Sequence, residues 1–504
     1  MAAGILLSRI AGLVRERAIA HYLGVSIYSD VVRAALRMPN LLQNLLGEGT
    51  LSASFIPVYA ELLEKGREEE AGRVAGAVLG LIVALAGGLA LLGILLAPVL
   101  VSVFTPGFEG ERKELTIAAV RIIFPMAGVL VLSAWALGIL NSHRRFFVSY
   151  VAPVAWNAAI IATLVAFGAK RSPAGLVIAL AWGALVGGVL QFAVQLPWVF
   201  ALERRLRVSF STRLEGVRET LRNAGPAIAG RGVVQLSGYV DYFLASFISG
   251  GAIALLGYAQ TLYMLPISLF GMSVAAAELP ELSRERSRAE DALRGRVDGA
   301  LTRTAFYVVP SVVGYLILGD VIVAALFQTG DFSANDTYLT HLVLAGYTLG
   351  LYASATTRLY ASAFFALHDT RTPAKVATAR VVIAVAVGAG LMFALEQVEA
   401  RGYPLGALGL VLGGSVAAWV EWVLLRRALR GRIGPVGAYR GALLKIVLAA
   451  GIAAGCARAL DWVLPPLHPI ATAAAVLSLY VAGFGLVGAL LGLEQARRYL
   501  QLGR

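Results

Sequence analysis

Asp30, Arg33, Arg37, Asn40, Asn44 and Glu48 are spaced so that, at about 100° per residue, all six fall on one face of a helix. The positions between them are apolar: Val31, Val32, Ala34, Ala35, Leu36, Leu41, Leu42, Leu45 and Leu46. Asp30 and Arg33, and Arg33 and Arg37, have same-face separations that suit internal ion pairs. A ligand site and an ion-pair network both need a polar environment, so the two readings coexist. The preceding apolar stretch carries Arg9, Arg15, Glu16 and Arg17. Arg15 lies about 18 Å along a helix that begins near residue 3, which is deep for a side chain reaching back to the surface. Arg9 and Arg15 are therefore assigned to the same polar region, and Arg17 to the surface or a local pair. Further along, Arg231 and Gln235 share a face at i,i+4, with Asp241 beyond them, and Arg358 sits among Tyr347, Tyr352 and Tyr360. The set is basic on balance. A guanidinium donates paired hydrogen bonds in a plane that matches phosphate. The chemistry this predicts is the holding of an anionic, phosphorylated molecule.

Nothing in the chain points to covalent catalysis. It has no P-loop, nucleophile elbow or metal triad, and Gly47-Glu48-Gly49 reads as a helix break rather than a nucleotide loop. The single Cys456 excludes an internal disulfide, and the five His residues lack metal-ligand spacing. No cofactor is expected. With no nucleotide site, energy is expected from the membrane potential, a monovalent ion or the cargo's own gradient.

The elements that carry these residues are membrane helices. Of 504 residues, 58% are hydrophobic and 14% charged, with mean hydropathy +0.76; soluble domains carry about 25% charged residues. Charged faces on membrane helices are costly unless they line a protein interior or a watery cavity. Apolar runs long enough to cross a bilayer give about fourteen spans. They cover 3–23, 29–60, 73–105, 116–141, 149–168, 174–200, 219–246, 252–278, 300–328, 337–367, 374–397, 404–428, 440–464 and 467–493. The fold class is an all-α polytopic membrane protein. Pro39 and the Gly47 step should kink or break the long second span. Alternate loops are rich in Arg and Lys, such as Arg204, Arg205 and Arg207 against the loop near 331–336, which has none. The positive-inside rule puts both termini in the cytoplasm. It also accounts for the net charge of +13 without nucleic acid. Arg9, Arg15 and Arg17 interrupt what would be a signal peptide. The abrupt start of the first span leaves room for a few residues upstream.

The chain repeats itself weakly. Met38-Pro39 matches Leu265-Pro266, Pro57 with Glu61 resembles Pro280 with Glu281, and Leu140-Asn141-Ser142-His143-Arg144 matches Leu367-His368-Asp369-Thr370-Arg371. An even number of spans between copies relates them by an axis along the membrane normal. The expected domains are an N-lobe at 1–200, a C-lobe at 201–430 and a helix pair at 431–504. A basic cavity between the two lobes is then the expected site.

Several segments resemble the bacterial lipid II flippase family (MurJ, also called MviN) of the multidrug/oligosaccharidyl-lipid/polysaccharide exporter superfamily. They are Leu7-Ser8-Arg9-Ile10-Ala11-Gly12-Leu13-Val14-Arg15-Glu16, Pro39-Asn40-Leu41-Leu42 leading through Gly47-Glu48-Gly49 to Ala53-Ser54-Phe55-Ile56-Pro57-Val58-Tyr59-Ala60-Glu61, Leu279-Pro280-Glu281-Leu282-Ser283 and Asp369-Thr370-Arg371-Thr372-Pro373. The resemblance implies two six-helix lobes in a V around a central cationic cavity, in the bacterial cytoplasmic membrane. It implies outward translocation of the undecaprenyl-pyrophosphate disaccharide-pentapeptide by alternating access, with the last two spans bordering a groove for the lipid tail. Functional arginines map to Arg9 and Arg15, an acidic position to Asp30 and a basic one to Arg37. Two family arginines are replaced, by Gln43 and by Thr261, and Arg231, Arg33 or Arg37 is expected to supply the missing charge. Lipid II and membrane lipids are the expected partners. The resemblance admits cell-wall synthesis proteins, and a monomer suffices. The alternatives are an exporter of another lipid-linked oligosaccharide, a drug/cation antiporter of the same superfamily, a non-transporting scaffold and a polytopic prenyl-phosphate glycosyltransferase. A basic cavity argues against cationic drugs, and short outer loops argue against the enzyme.

Overall fold

Ten helices among the described residues are long and apolar enough to cross a membrane. They account for all but four of the expected spans. Those four are the first, second and seventh, whose apolar runs are interrupted by charges, and the tenth, which is divided at Gly350. The spans least suited to lipid are thus the ones that carry the candidate site. The chain is described, in a computed structural model, over residues 2–272, 274, 278, 290–436 and 440–501. The side chains of residues 2, 3, 5, 48, 229–238, 290–292, 440 and 499–501 lie outside the description. The repeat copy at Pro280 and Glu281 lies outside it too. Two compact units are present, Met1–Ala254 and Leu255–Arg504.

The first unit holds α1 (Ala2–Leu23), α2 (Ile27–Leu46), α3 (Glu48–Glu64), α4 (Glu68–Leu95), α5 (Ala97–Phe104), α6 (Gly110–Ser142), α7 (Phe146–Phe167), α8 (Pro173–Leu202) and α9 (Glu215–Ala245). α6 is its axis and packs on α2, α3, α4 and α8. Trp135 on α6 is fully buried among Phe55, Tyr59 and Val78, and its indole N–H donates to the Ala75 carbonyl at 3.1 Å. The expected break in the second span falls at Gly47, between α2 and α3, while Pro39 stays within α2. A Cβ at Gly47 would lie 2.3 Å from the Gln43 carbonyl oxygen, so this close turn requires glycine. The third expected span is likewise two helices, with Pro98 in the first turn of α5, where its missing N–H costs nothing.

The second unit begins within α10 (Ala252–Pro266), which runs into a π turn at Ile267–Gly271. It continues with α11 (Glu290–Phe327), α12 (Ala334–Leu349), α13 (Leu351–Ala366), α14 (Arg371–Glu396), a hairpin of β1 (Glu399–Ala400) and β2 (Tyr403–Pro404), α15 (Gly406–Ile433), α16 (Arg440–Val463), α17 (Pro469–Leu490) and α18 (Glu494–Gln501). α16 and α17 pack against α11. The apolar faces of these helices point outward: in α14 only 11% of the most apolar window is buried, and in α17 17%. Surfaces of that kind belong against hydrocarbon.

The sequence repeat has a structural counterpart. α6 and α13 end in the same cap, with Arg144 and His368 both at φ 59°. Arg144 and Arg145 donate backbone N–H groups to the Asn141 and Leu140 carbonyls. His368 and Asp369 donate in the same pattern to Phe365 and Phe364. A left-handed residue closing the last turn in this way stops a helix, and the two caps lie 224 residues apart, three residues short of the register in which Leu140 matches Leu367.

Candidate functional site

Glu16 on α1 organises the basic residues of the first unit. Its carboxylate accepts from Arg15 at 2.7 Å and from Arg33, on α2, at 2.8 Å. The side chains of Glu16 and Arg33 are each 10% exposed and that of Arg15 19%. Arg15 also donates to Asn157 Oδ1 on α7 at 2.9 Å. The Asn157 amide N–H2 donates to the Pro153 carbonyl, which turns the oxygen toward Arg15. The Arg15 guanidinium stands 4.8 Å from the Trp156 ring centroid, within cation–π range. Trp156 is held in turn by donating its indole N–H to the Ala184 carbonyl on α8.

Arg37 lies one turn beyond Arg33 on α2. Its guanidinium is 5.3 Å from the ring centroids of both Tyr239 and Tyr242 on α9, and the Tyr239 hydroxyl donates to the Arg37 carbonyl at 2.8 Å. Aromatic faces hold a cation while leaving its N–H edges available. Among the described contacts, Arg15, Arg33 and Arg37 meet the single bridging carboxylate of Glu16, so basic groups predominate here. Along the stripe burial decreases, from Asp30 at 0% exposed through the largely buried Arg33 and the partly buried Arg37 and Asn40 to exposed Asn44.

Asp30 is occupied differently from the rest of its stripe. It accepts from Arg112 at 2.6 Å and from the backbone N–H groups of Gly251 and Ala254, both at 2.7 Å. Arg112 packs over the Phe108 ring at 3.7 Å. Arg9 is exposed on α1. The side chains of Glu48, Arg231 and Gln235 lie outside the described residues. Arg358 lies in the second unit, exposed on α13 where its immediate neighbours are all buried. Nearby helices carry an Arg380–Glu421 pair at 2.7 Å and a Tyr263–Tyr347 stack at 4.9 Å, with Tyr263 donating to Ser354. Gln43 is half-buried, and Thr261 folds its hydroxyl onto the Gly257 carbonyl at 2.9 Å.

Five contributors are absent from the sequence-based set: Glu16 as the bridging carboxylate, Trp156, Asn157, Tyr239 and Tyr242. Glu16 carries a local signal, an acid beside Arg15 in an apolar run. The two tyrosines sit at i,i+3 on the seventh span. Nothing local marks Trp156 or Asn157, whose role depends on α7 packing against α1. The arrangement is a basic, partly shielded wall within membrane helices, suited to holding an anion.

Known proteins resemble this chain over nearly its whole length. The sequence profile described as lipid II flippase MurJ matches residues 19–481. The probable lipid II flippase MurJ of Rhizobium meliloti (strain 1021) is 31% identical over 98% of this chain and 94% of its own length. The lipid II flippase MurJ of Burkholderia cenocepacia is 31% identical over 95% of this chain and 93% of its own. A solved structure of lipid II flippase MurJ in an inward closed conformation matches with TM-score 0.75 at 24% identity, covering 96% of this chain and 98% of that one, and supports the fold. An inward-facing multidrug MATE transporter of the MOP superfamily gives TM-score 0.64 at 19% identity over 84% of this chain. With the profile and these relatives spanning nearly its whole length, the chain belongs to the lipid II flippase MurJ family.

Proposed function

We propose that this chain flips lipid II, the undecaprenyl-pyrophosphate-linked disaccharide-pentapeptide, from the cytoplasmic to the outer leaflet by alternating access. The observation that carries the reading is the Arg15–Glu16–Arg33 network with Arg37 beside it, predominantly basic and set in membrane helices. In this reading Arg15, Arg33 and Arg37 hold the pyrophosphate, with Arg9, Asn40 and Asn44 along the same path. Arg231, Gln235, Glu48 and Arg358 are proposed as further cargo contacts, and Asp30 as the residue that seats the outer end of α2. The prenyl tail stays in lipid, since burial in a polar site would gain nothing. Both termini are cytoplasmic by loop charge, and the membrane potential or a monovalent ion drives the cycle. The relatives named above, called lipid II flippases, support this cargo over another lipid-linked oligosaccharide.

The test is functional replacement. The host's lipid II flippase is depleted, this chain is expressed, and lipid II exposed outside is measured with an added cleaving enzyme. Exposure should return with the wild type and fall at least tenfold with Arg15→Ala. Equal exposure by Arg15→Ala, or none by wild-type protein with purified lipid II in vesicles, would refute the proposal.

A further inference from the structure

An apolar chamber of about 300 Å³ lies between α3, α4, α6 and α9, away from the arginine cluster. Its walls include Leu51, Val78, Ile82, Val131 and Ile228. Three hydroxyls also border it, but each donates to a backbone carbonyl: Thr50 to Leu45, Ser54 to Thr50 at 2.7 Å and Thr220 to Gly216 at 2.8 Å. These walls offer water poor anchorage. Apolar cavities of about half this size stay dry and take up apolar molecules, because an unfilled void forfeits the dispersion contacts of its lining.

The mouth shows what fills it. Leu85 and Leu221, which border the chamber, are 52% and 50% exposed and continue the lipid-facing surface of α4. A Cβ at Gly225, also on the rim, would meet nothing within 4 Å. One turn toward the start of α9, exposed Arg218 and Arg222 share a face at i,i+4 and flank Leu221 along the chain, and Arg218 donates to the Thr212 carbonyl at 3.2 Å. The linker before α9 lies along α4, with Ser209 N–H on the Gly76 carbonyl. It alternates exposed Arg205 and Arg207 with exposed Val208 and Phe210. Arginine interleaved with apolar residues marks the level of lipid headgroups. A hydrocarbon mouth beneath a basic rim matches a molecule with an acyl chain and an anionic head.

We propose that this chamber is a resident-lipid site, in which one acyl chain of an anionic phospholipid enters between Leu85 and Leu221 and its phosphate lies against Arg218 and Arg222. The chamber's lining contains none of Arg15, Glu16, Arg33 and Arg37, and the proposal does not depend on the cargo's identity. The lipid fills the space between α3 and α9 beside the Gly47 break, so its occupancy supports α3, the second half of that span.

The experiment is native mass spectrometry of the full chain, titrated with phosphatidylglycerol and, separately, phosphatidylcholine. Wild-type protein should prefer phosphatidylglycerol by about 25-fold, at about fivefold for each of two arginines near the surface. The double variant Arg218→Gln/Arg222→Gln should bind the two lipids equally. Gly225→Phe plugs the mouth, gains helix propensity, and should lose the bound lipid while keeping its unfolding temperature in detergent. Equal binding of both lipids by the wild type, or unchanged preference in the double variant, would overturn the proposal. So would displacement of the lipid by a prenyl diphosphate, which would give the chamber to the cargo.

Discussion

Replacing Glu16 by glutamine separates the two things its carboxylate does. In the resting protein it neutralises one of two flanking guanidiniums, at 2.7 and 2.8 Å, with all three side chains at least four-fifths buried. Unit charges about 4 Å apart interact by about 4 kcal/mol at an effective dielectric of 20. Removing one member of a buried pair costs about 3–5 kcal/mol, because the remaining charge has been desolvated without compensation. Glu16→Gln keeps the volume and one acceptor but removes the carboxylate that bridges Arg15 and Arg33. Unfolding in detergent, followed by tryptophan fluorescence, should therefore show a loss of about 3–5 kcal/mol. An anionic cargo offers the missing countercharge. Its pyrophosphate should bind the variant more tightly, by about tenfold if it recovers about 1.4 kcal/mol of the lost pairing. Adding a prenyl diphosphate should accordingly restore more stability to Glu16→Gln than to the wild type. If the variant is as stable as the wild type, or if stability and anion affinity fall together, Glu16 is not a countercharge that the cargo replaces, and the reasoning fails.

Three further outcomes follow from the same structure. Asp30→Asn should leave buried Arg112 uncompensated and cost about 3–5 kcal/mol, while Asp30→Asn/Arg112→Gln should recover part of the loss; strictly additive unfolding energies would refute the pairing. His143, at the end of α6, shares the Tyr59 oxygen with Glu203: the tyrosine donates to the carboxylate at 2.9 Å, and the imidazole approaches the same oxygen at 3.1 Å. Burial lowers the His143 pKa below its ordinary 6.5, against the opposing pull of Glu203 and Glu68. The unfolded chain then takes up a proton near pH 6.5 that the folded chain resists, so stability is full above about pH 7.5 and falls as the pH drops through 6.5. His143→Gln should flatten that slope in unfolding scans between about pH 7.5 and 5.5, and an unchanged slope would count against it. Asp369, held below its usual range chiefly by the Thr372 N–H and hydroxyl, acts in a lower window, losing its contribution only as pH falls below 3.8.

Much of this protein was legible in one dimension. Apolar runs, alternating loop charge and the spacing from Asp30 to Asn44 are local properties. They sufficed for membrane helices, for the spans that carry polar groups and for the break near Gly47. The repeat was legible as well, and its copies share the same left-handed cap at Arg144 and His368. Pairing was not legible. Spacing along α2 matches Asp30 with Arg33 and Arg33 with Arg37. In the folded chain Arg33 reaches Glu16 on α1, Asp30 takes Arg112 from α6, and Arg37 lies between tyrosines of α9. The sequence by itself determined that charge would be buried in these helices, because hydropathy and helical period depend on neighbours in the chain. Which charges would meet was decided by tertiary packing alone, because a desolvated guanidinium takes the best-placed partner in space, and here the partners Glu16, Arg112 and Tyr239 lie 17, 82 and 202 residues away.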